Sequence, residues 1–366
     1  MKKLTEKIKL SFIIANRREL KKRKHDKEYK ALSSKKYHEV IVHIANSISL
    51  VSQNHHNNLC KAIEKIKKHA SSNINTRIIL DFSAVTLIDT SGMILLYSEL
   101  DVINQLKKKT HFKIKPPIDA KCADVLVQLE FYQMLGVVGK REIRTQHRDV
   151  IHWKFIRGTS IEDFGRWKEL GIENTKIYRC ASEAVENATY HGYLTDRNDI
   201  FNSSSIDKTV KRWWMFAEVI DNVLSVAIAD LGIGFSGSLN EMIKRDSGLE
   251  NTVKLILRMF RKEKYLEDGV LHFKNESDLI RRVVESTDTI TRTGKTNRGK
   301  GLPAICDIVR RTPNSRLHIW SNTGSYELRN KVICASQDKN DIISTPYSYK
   351  CSIKGTVLCW GIPLEV

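Results

Sequence analysis

Residues 38–130 alternate short apolar runs with longer stretches in which apolar residues recur at helical spacing, and this alternation restricts the fold more than any other feature. Short apolar runs are typical of strands, whereas apolar residues three and four apart indicate a helix that packs on one side. The predicted elements are strands at 38–45, 78–82 and 112–115 and helices at 57–70, 91–107 and 119–130. This order predicts a small α/β domain, assigned to residues 37–140, with helices covering a sheet.

The rest of the chain predicts a second α/β domain over residues 141–366. A polar connection at 141–174 shows no strong period and indicates a boundary near residue 140. The elements predicted beyond it are a helix at 176–191, strands at 212–220 and 223–230 joined by Asp221-Asn222, a long, charged and mostly helical segment at 236–297, a helix at 302–311, and strands near 315–321, 328–335 and 354–362.

Positive charge is concentrated at the N-terminus. The chain has a formal net charge of +19, and residues 1–36 hold 14 Lys and Arg against 4 Asp and Glu. Such a segment can attract nucleic acid or an acidic partner. The alternative is a solvated, partly helical tail, and the absence of aromatic residues from the basic run 17–24 favours it.

We expect neither a membrane span nor a metal cluster. No apolar run approaches the roughly 18 residues that cross a bilayer, and the N-terminus lacks a small-residue cleavage site. The seven cysteines are scattered, without a CxxC pair or a histidine at metal-binding spacing. The pair His55-His56 fits a surface loop better than a metal site. These features predict a cytoplasmic protein with reduced thiols.

Two glycine-rich turns in TGKTNRGKGLPAICDIV, residues 293–309, raise the question of phosphate binding. A P-loop would need a glycine at position 289, directly after a buried strand, but that position is Thr. The other turn, Gly299-Lys300-Gly301, opens onto an apolar helical pattern. Because the free N–H groups and positive dipole end of a helix favour an anion, this second turn is the better candidate.

A predicted helix before these turns carries polar groups suited to nucleotide chemistry. In SEAVENATYHGY, residues 182–193, Glu183 and Asn187 are four residues apart and share one helix face. An amide oxygen can take one position around Mg²⁺, and a neighbouring carboxylate can orient or deprotonate water or a hydroxyl. The alternative is an ordinary amphipathic helix that ends at Gly192.

Two further motifs with candidate site residues lie at the ends of predicted strands. In VAIADLGIGF, residues 226–235, Asp230 ends an apolar strand and precedes two glycines, where its carboxylate could accept a hydrogen bond from an adenine amino group. In KGTVLCWGIPL, residues 354–364, a Gly-Thr pair opens a terminal strand. Each motif taken alone is also compatible with a plain strand and turn.

Four motifs over roughly residues 175–364 resemble the conserved boxes of the gyrase, heat-shock chaperone, histidine kinase and MutL (GHKL) ATPases. In chain order they are EAVENATYHG for the N box, ADLGIGF for G1, RGKGL for G2 and GTVLCWGIP for G3. Within that superfamily, EAVENATYHGY is most similar to anti-sigma-factor serine kinases. The resemblance implies a Bergerat-fold α/β sandwich that binds ATP and Mg²⁺ between sheet and helices. By position it implies Glu183 as general base, Asn187 as Mg²⁺ ligand, Asp230 with Gly232 and Gly234 at the adenine, Arg298, Gly299, Lys300 and Gly301 at the phosphates, and Thr356 supporting the adenine end. The segment that forms the ATP lid in this family, about 236–297, is long here and is a candidate partner surface.

The run IILDFSAVTLIDTSGMILLYSEL, residues 78–100, joins a strand to a helix through Asp89-Thr90-Ser91-Gly92. Asp89 or Thr90 can cap the helix by accepting a hydrogen bond from its free N–H groups, which needs no chemistry. The run also resembles the STAS domains of anti-sigma-factor antagonists, and the order of elements over 38–136 fits. That resemblance puts Thr90 at the phospho-acceptor position, where a helix N-terminus tolerates a phosphate.

Two hypotheses from different classes follow. The first is an ATP-binding regulatory protein with Mg²⁺-dependent ATPase or serine/threonine kinase activity, which controls a protein partner or its own STAS-like domain and could act as a homodimer. The second is a nucleotide-sensing binding module without catalysis that docks on nucleic acid through residues 1–36. A histidine kinase is disfavoured because KYHEVIV around His38 has the pattern of a strand, not of a dimerising helix.

Overall fold

The chain is a mixed α/β protein with several sheets, as the alternating patterns predict. A computed structural model describes residues 37–72, 74–107, 109–139, 141–145, 147, 150, 153–170, 175–195, 212–245, 266–267, 270–271, 275–290, 301–334 and 339–364.

Residues 37–139, here called the N-terminal unit, contain a parallel sheet with strand order β1-β3-β5 and a small parallel pair, β2-β4. Its elements are β1 (His38–His43), β2 (Ser47–Ile48), α1 (Gln53–Ala70), β3 (Thr76–Asp81), β4 (Leu87–Ile88), α2 (Thr90–Leu106), β5 (Thr110–Lys115), α3 (Ala120–Gln128) and α4 (Phe131–Met134). All three predicted strands and three predicted helices of this unit are present, with ends that shift by a few residues.

The rest of the described chain is organised around a seven-stranded sheet of order β13-β12-β11-β14-β8-β7-β6, in which every neighbouring pair is antiparallel. Its elements are β6 (Lys154–Gly158), a 3₁₀ helix (Glu162–Leu170), α5 (Thr175–His191), β7 (Trp213–Ile220), β8 (Val223–Asp230), α6 (Gly234–Arg245), β9 (Leu266–Glu267), β10 (Val270–Leu271), α7 (Glu276–Ile290), α8 (Gly301–Arg311), β11 (Arg316–Ser321), β12 (Gly324–Cys334), β13 (Lys339–Ser348) and β14 (Thr356–Pro363).

The seven-stranded sheet is covered on both faces because its central strands carry apolar side chains on both sides. Side chains alternate between faces along a strand, so neighbouring residues of β7 enter different cores. Met215 packs in a core with α5 and α8, on what we call the front face. Trp214 and Phe216 pack in a core with the N-terminal unit, on the back face.

Helix α2 is the centre of the back-face core. Residues 91–103, thirteen in succession, are buried in it, which fits a helix enclosed on all sides. Its Tyr97 ring meets the Phe216 ring with centroids 5.9 Å apart. The Trp320 indole N–H of β11 donates to the Leu50 carbonyl at 3.2 Å. The N-terminal unit and the seven-stranded sheet therefore share one hydrophobic core.

Three features differ from the sequence-based expectations. The supposedly irregular segment 141–174 contains β6 and the 3₁₀ helix, and β13 was not predicted at all. Strand β13 shows no apolar alternation because residues 341–348 are all exposed at the edge of the sheet. The prediction that His55-His56 forms a surface loop is wrong, since both residues lie in α1 and His56 is fully buried.

Among the helices of the described residues, none has the length and apolar content needed to cross a bilayer.

Candidate functional site

The candidate site lies where β8 and β14 meet at one end of the seven-stranded sheet. Asp230 is the last residue of β8 and lies directly opposite Thr356, the first residue of β14. Both residues are largely buried, at 7% exposure each. The antiparallel register thus brings together two predicted site residues that are far apart in the sequence.

The turn after Asp230 is pressed against the end of α5. The Gly232 N–H donates to the Asp230 Oδ1 at 2.9 Å, and the Ile233 N–H donates to the Gly192 carbonyl at 2.8 Å. A Cβ atom on Gly232 would lie 1.9 Å from that carbonyl oxygen, a distance that no side chain can adopt. Glycine is therefore required at 232 for close approach of two backbone segments.

The residue before Thr356 is also constrained. Gly355 has a φ of +155°, and a Cβ there would meet the Asp230 carbonyl oxygen at 2.4 Å. The next predicted glycine, Gly234, has a φ of +72° and begins α6. The Phe235 N–H donates to the Ser321 Oγ at 2.9 Å, which fixes the start of α6 to the end of β11.

Helix α5 presents a polar side away from the front-face core. Ala184, Val185 and Ala188 are buried, as the amphipathic pattern predicts. Glu183 is half-buried and Asn187 is exposed. Burial, and after it the charge of Glu183, raises the pKa of the Cys180 thiol to about 11, so this cysteine is protonated at neutral pH and is no nucleophile.

Helix α8 begins at Gly301, the last residue of the predicted glycine turn, and it shares the front-face core with α5 through Leu302, Ile305 and Cys306. The N-terminus of α8 and the polar side of α5 thus belong to helices on one face of the sheet. Arg298, Gly299 and Lys300 lie outside the described residues, as does much of the predicted lid. Of the ten residues that the family resemblance implies, the other seven are described.

A metal at this site would depend on ligands beyond the side chains. Among the residues that the structure describes, no group of three or more His, Cys, Asp or Glu could hold a metal ion. Asn187 fits a Mg²⁺ ion whose other positions are filled by water and phosphate oxygens, because one amide oxygen suffices there. The chemistry of the described donor set is thus compatible with a nucleotide-bound Mg²⁺.

Thr90 lies on the back side of the same sheet. It is the first residue of α2, and Asp89 caps the helix by accepting from the Gly92 N–H at 3.0 Å. The turn Asp89–Ser91 borders a cavity of about 470 Å³, whose wall on the sheet includes Arg316 and His318. The sheet therefore separates Thr90 from the polar side of α5.

The sequence reasoning missed the role of Gly192 and the residue after it. Gly192 was interpreted only as a helix end, whereas its carbonyl accepts a hydrogen bond from the Ile233 N–H in the turn after Asp230. Tyr193 contacts the same turn, since its hydroxyl accepts from the Leu231 N–H at 2.9 Å. In the sequence, Tyr193 directly follows Gly192 at the end of the predicted helix, and no pattern there distinguishes it from other tyrosines.

No protein-family model matches this chain, and no curated protein matches it either.

Proposed function

We propose that this protein binds ATP with Mg²⁺ at the front face of the seven-stranded sheet and acts as a regulatory ATPase or serine/threonine kinase of the GHKL type, with a STAS-like N-terminal unit and a Bergerat-type nucleotide domain. One observation carries the proposal. Asp230 and Thr356, from separate sequence motifs, are paired neighbours at the end of the sheet, and the turn after Asp230 packs on the end of the helix that bears Glu183 and Asn187.

Each residue would have a role that its chemistry supports. The largely buried Asp230 carboxylate would accept from the adenine amino group, with Thr356 beside it. Asn187 would bind Mg²⁺, which supplies charge neutralisation for the phosphates when bound. Glu183 would orient or deprotonate the attacking water or hydroxyl. The N-terminus of α8 would face the phosphates, where its N–H groups and dipole favour negative charge.

The position of Thr90 bears on the reaction. Because the seven-stranded sheet separates Thr90 from Glu183, transfer within one chain would require the N-terminal unit to leave its shared core. This supports hydrolysis, or transfer to another protein, over transfer to the chain's own Thr90. A protein partner rather than the N-terminal unit is then the object of regulation.

The test is incubation of the full-length protein with Mg²⁺ and ATP labelled at the γ-phosphate. We expect free phosphate from the wild type and its loss in Asn187→Ala, whereas Glu183→Ala should slow release by about 10²–10⁴-fold. Glu186→Gln, a change on the same helix, is the matched control and should keep wild-type release. Unchanged release in Asn187→Ala would contradict the assignment, and label that stays on the protein and disappears in Thr90→Ala would favour self-phosphorylation instead.

A further inference from the structure

The hydroxyl of Tyr193 joins the candidate site to the start of β7. Tyr193 follows Gly192 at the end of α5, and the family resemblance gives it no role. Its hydroxyl accepts a hydrogen bond from the Leu231 N–H at 2.9 Å and donates one to the Arg212 carbonyl at 2.5 Å. One side chain thus ties the residue after Asp230 to the residue before β7.

Arg212 is in turn held by the N-terminal unit. Its Nη1 lies 3.3 Å from the Oδ2 of Asp101, a residue of α2 that is 3% exposed. The same carboxylate accepts from the Trp214 indole N–H at 2.9 Å and pairs with the Arg157 Nη1 at 2.7 Å. A buried carboxylate needs such partners, and these three come from the sheet-forming part of the chain. The Gln105 side-chain amide of α2 donates to the same carboxylate at 2.8 Å.

These contacts form a path across the end of the sheet, which passes through the side chain and then the backbone carbonyl of Arg212. It runs from Asp101 on the back side, through Arg212 and Tyr193, to the N–H of Leu231, whose neighbour Asp230 is the candidate adenine ligand. The Leu231 side chain is itself part of the back-face core. The turn after Asp230 is therefore anchored in two ways, by the Leu231 side chain in the back-face core and by the Tyr193 hydroxyl on the Leu231 N–H.

We propose that Tyr193 is a positioning residue that holds the Asp230 turn in its binding conformation. Asp101 acts on Tyr193 through Arg212. The N-terminal unit thereby controls nucleotide affinity from the opposite face of the sheet. The ligand in this inference rests on the proposed function. The physical reason is general: when a binding conformation is only partly populated, the apparent affinity falls by that fraction. A turn that has lost one of its ties populates that conformation less.

The test compares Tyr193→Phe with wild type in the full-length protein by two measurements, hydrogen exchange of the backbone amides at 231–233 and calorimetric binding of Mg²⁺-ATP. Phe keeps the ring and removes the hydroxyl, so we expect exchange at Leu231 to rise and ATP to bind about five-fold more weakly, the value of one ordinary hydrogen bond. Tyr190→Phe is the matched control, because Tyr190 lies on α5 with 59% exposure, and it should change neither quantity.

Asp101→Asn tests the link to the N-terminal unit. It keeps the side-chain shape and an acceptor oxygen but removes the charge that holds Arg212, and we expect faster exchange at 231–233 with a smaller loss of affinity, about two- to three-fold. Arg212→Gln breaks the same pair from the other side and should have the same effect. Changes in thermal stability alone, without faster exchange at 231–233 in either variant, would overturn this part of the inference.

The outcomes separate this inference from the proposed function. Wild-type exchange and affinity in Tyr193→Phe would overturn the positioning role while the nucleotide site stands. Faster exchange at Leu231 in a protein whose wild type binds no ATP would support the anchoring of the turn and reject nucleotide as its ligand. Faster exchange together with weaker ATP binding supports both.

Discussion

The two faces of the seven-stranded sheet are covered by helices of different kinds. On the front face, α5 buries Ala184, Val185 and Ala188 and leaves Asn187 exposed. On the back face, α2 is buried along thirteen successive residues, 91–103. A helix enclosed on all sides stabilises the fold but presents few groups to a ligand, whereas a half-exposed helix can do both. The proposed function accordingly places the nucleotide chemistry on the front face, and the back-face helix supports the sheet.

The largest effect on stability should come from shortening a buried side chain in either core. Met215 and Phe216 are neighbours on β7, enter opposite faces and are buried to 0% and 1% exposure. If both faces are true cores, Met215→Ala and Phe216→Ala should each lower the free energy of unfolding by about 3–4 kcal/mol. Urea unfolding followed by tryptophan fluorescence measures this, with the exposed Val51→Ala as the control. A loss below about 1 kcal/mol for Phe216→Ala would mean that the N-terminal unit is only loosely attached.

A smaller effect should follow from adding one methyl group at the front-face site. In Gly232→Ala the new Cβ would collide with the Gly192 carbonyl oxygen, so the turn after Asp230 must move. Overpacking of this kind costs about 2 kcal/mol, and ATP binding should weaken with it. Gly165→Ala serves as the control because a Cβ there meets nothing within 4 Å. Wild-type thermal stability and ATP affinity in Gly232→Ala would contradict the close packing of the turn.

A third effect, of similar size, is a pH dependence that arises where α1 contacts the residues after β13. His56 of α1 stacks on Tyr349, with ring centroids 3.8 Å apart, and its Nε2 lies 3.0 Å from the Cys351 carbonyl oxygen. Burial lowers the pKa of His56 to about 4. Because the unfolded chain takes up the proton at a pKa of about 6.5, stability is constant above that pH and falls as the pH drops from about 6.5 to 4.

The contribution of His56 should amount to about 2 kcal/mol of lost stability between pH 7.5 and pH 5. His56→Phe keeps a ring against Tyr349 and cannot titrate, so the stability difference between the two pH values should shrink by that amount. The control is His38→Asn, since His38 is exposed at the start of β1. An unchanged difference in His56→Phe would show that His56 is accessible to protons in the folded state.

Much of the fold was predictable because its apolar patterns are local. Helix α5 and the hairpin β7–β8 were predicted within a residue of their observed bounds, since Asp221 and Asn222 both adopt the left-handed conformation that a tight turn requires. Strand β13 escaped prediction because it lies at a sheet edge, where burial imposes no alternation. The boundary near residue 140 stays a prediction.

The candidate site was predictable only in part. Motifs identified Asp230 and Thr356, but their adjacency depends on the register of β8 and β14, which no local pattern encodes. The path joins Asp101 to Arg212, 111 positions further along the chain, and Arg212 to Tyr193, 19 positions before it, and these residues have no special signature in the sequence. Long-range hydrogen bonds of this kind become visible only with the fold.

The measurement that tests the central claim most directly is calorimetric titration of the full-length protein with ATP and, separately, GTP in the presence of Mg²⁺. The Asp230 carboxylate accepts hydrogen bonds, and adenine offers an amino group where guanine offers a carbonyl oxygen. We predict that the wild type binds ATP in preference to GTP and that Asp230→Asn weakens ATP binding by about 10- to 100-fold. Equal affinity for both nucleotides, or wild-type ATP affinity in Asp230→Asn, would contradict Asp230 as the adenine ligand, and no binding of either nucleotide would contradict a nucleotide site at the front face.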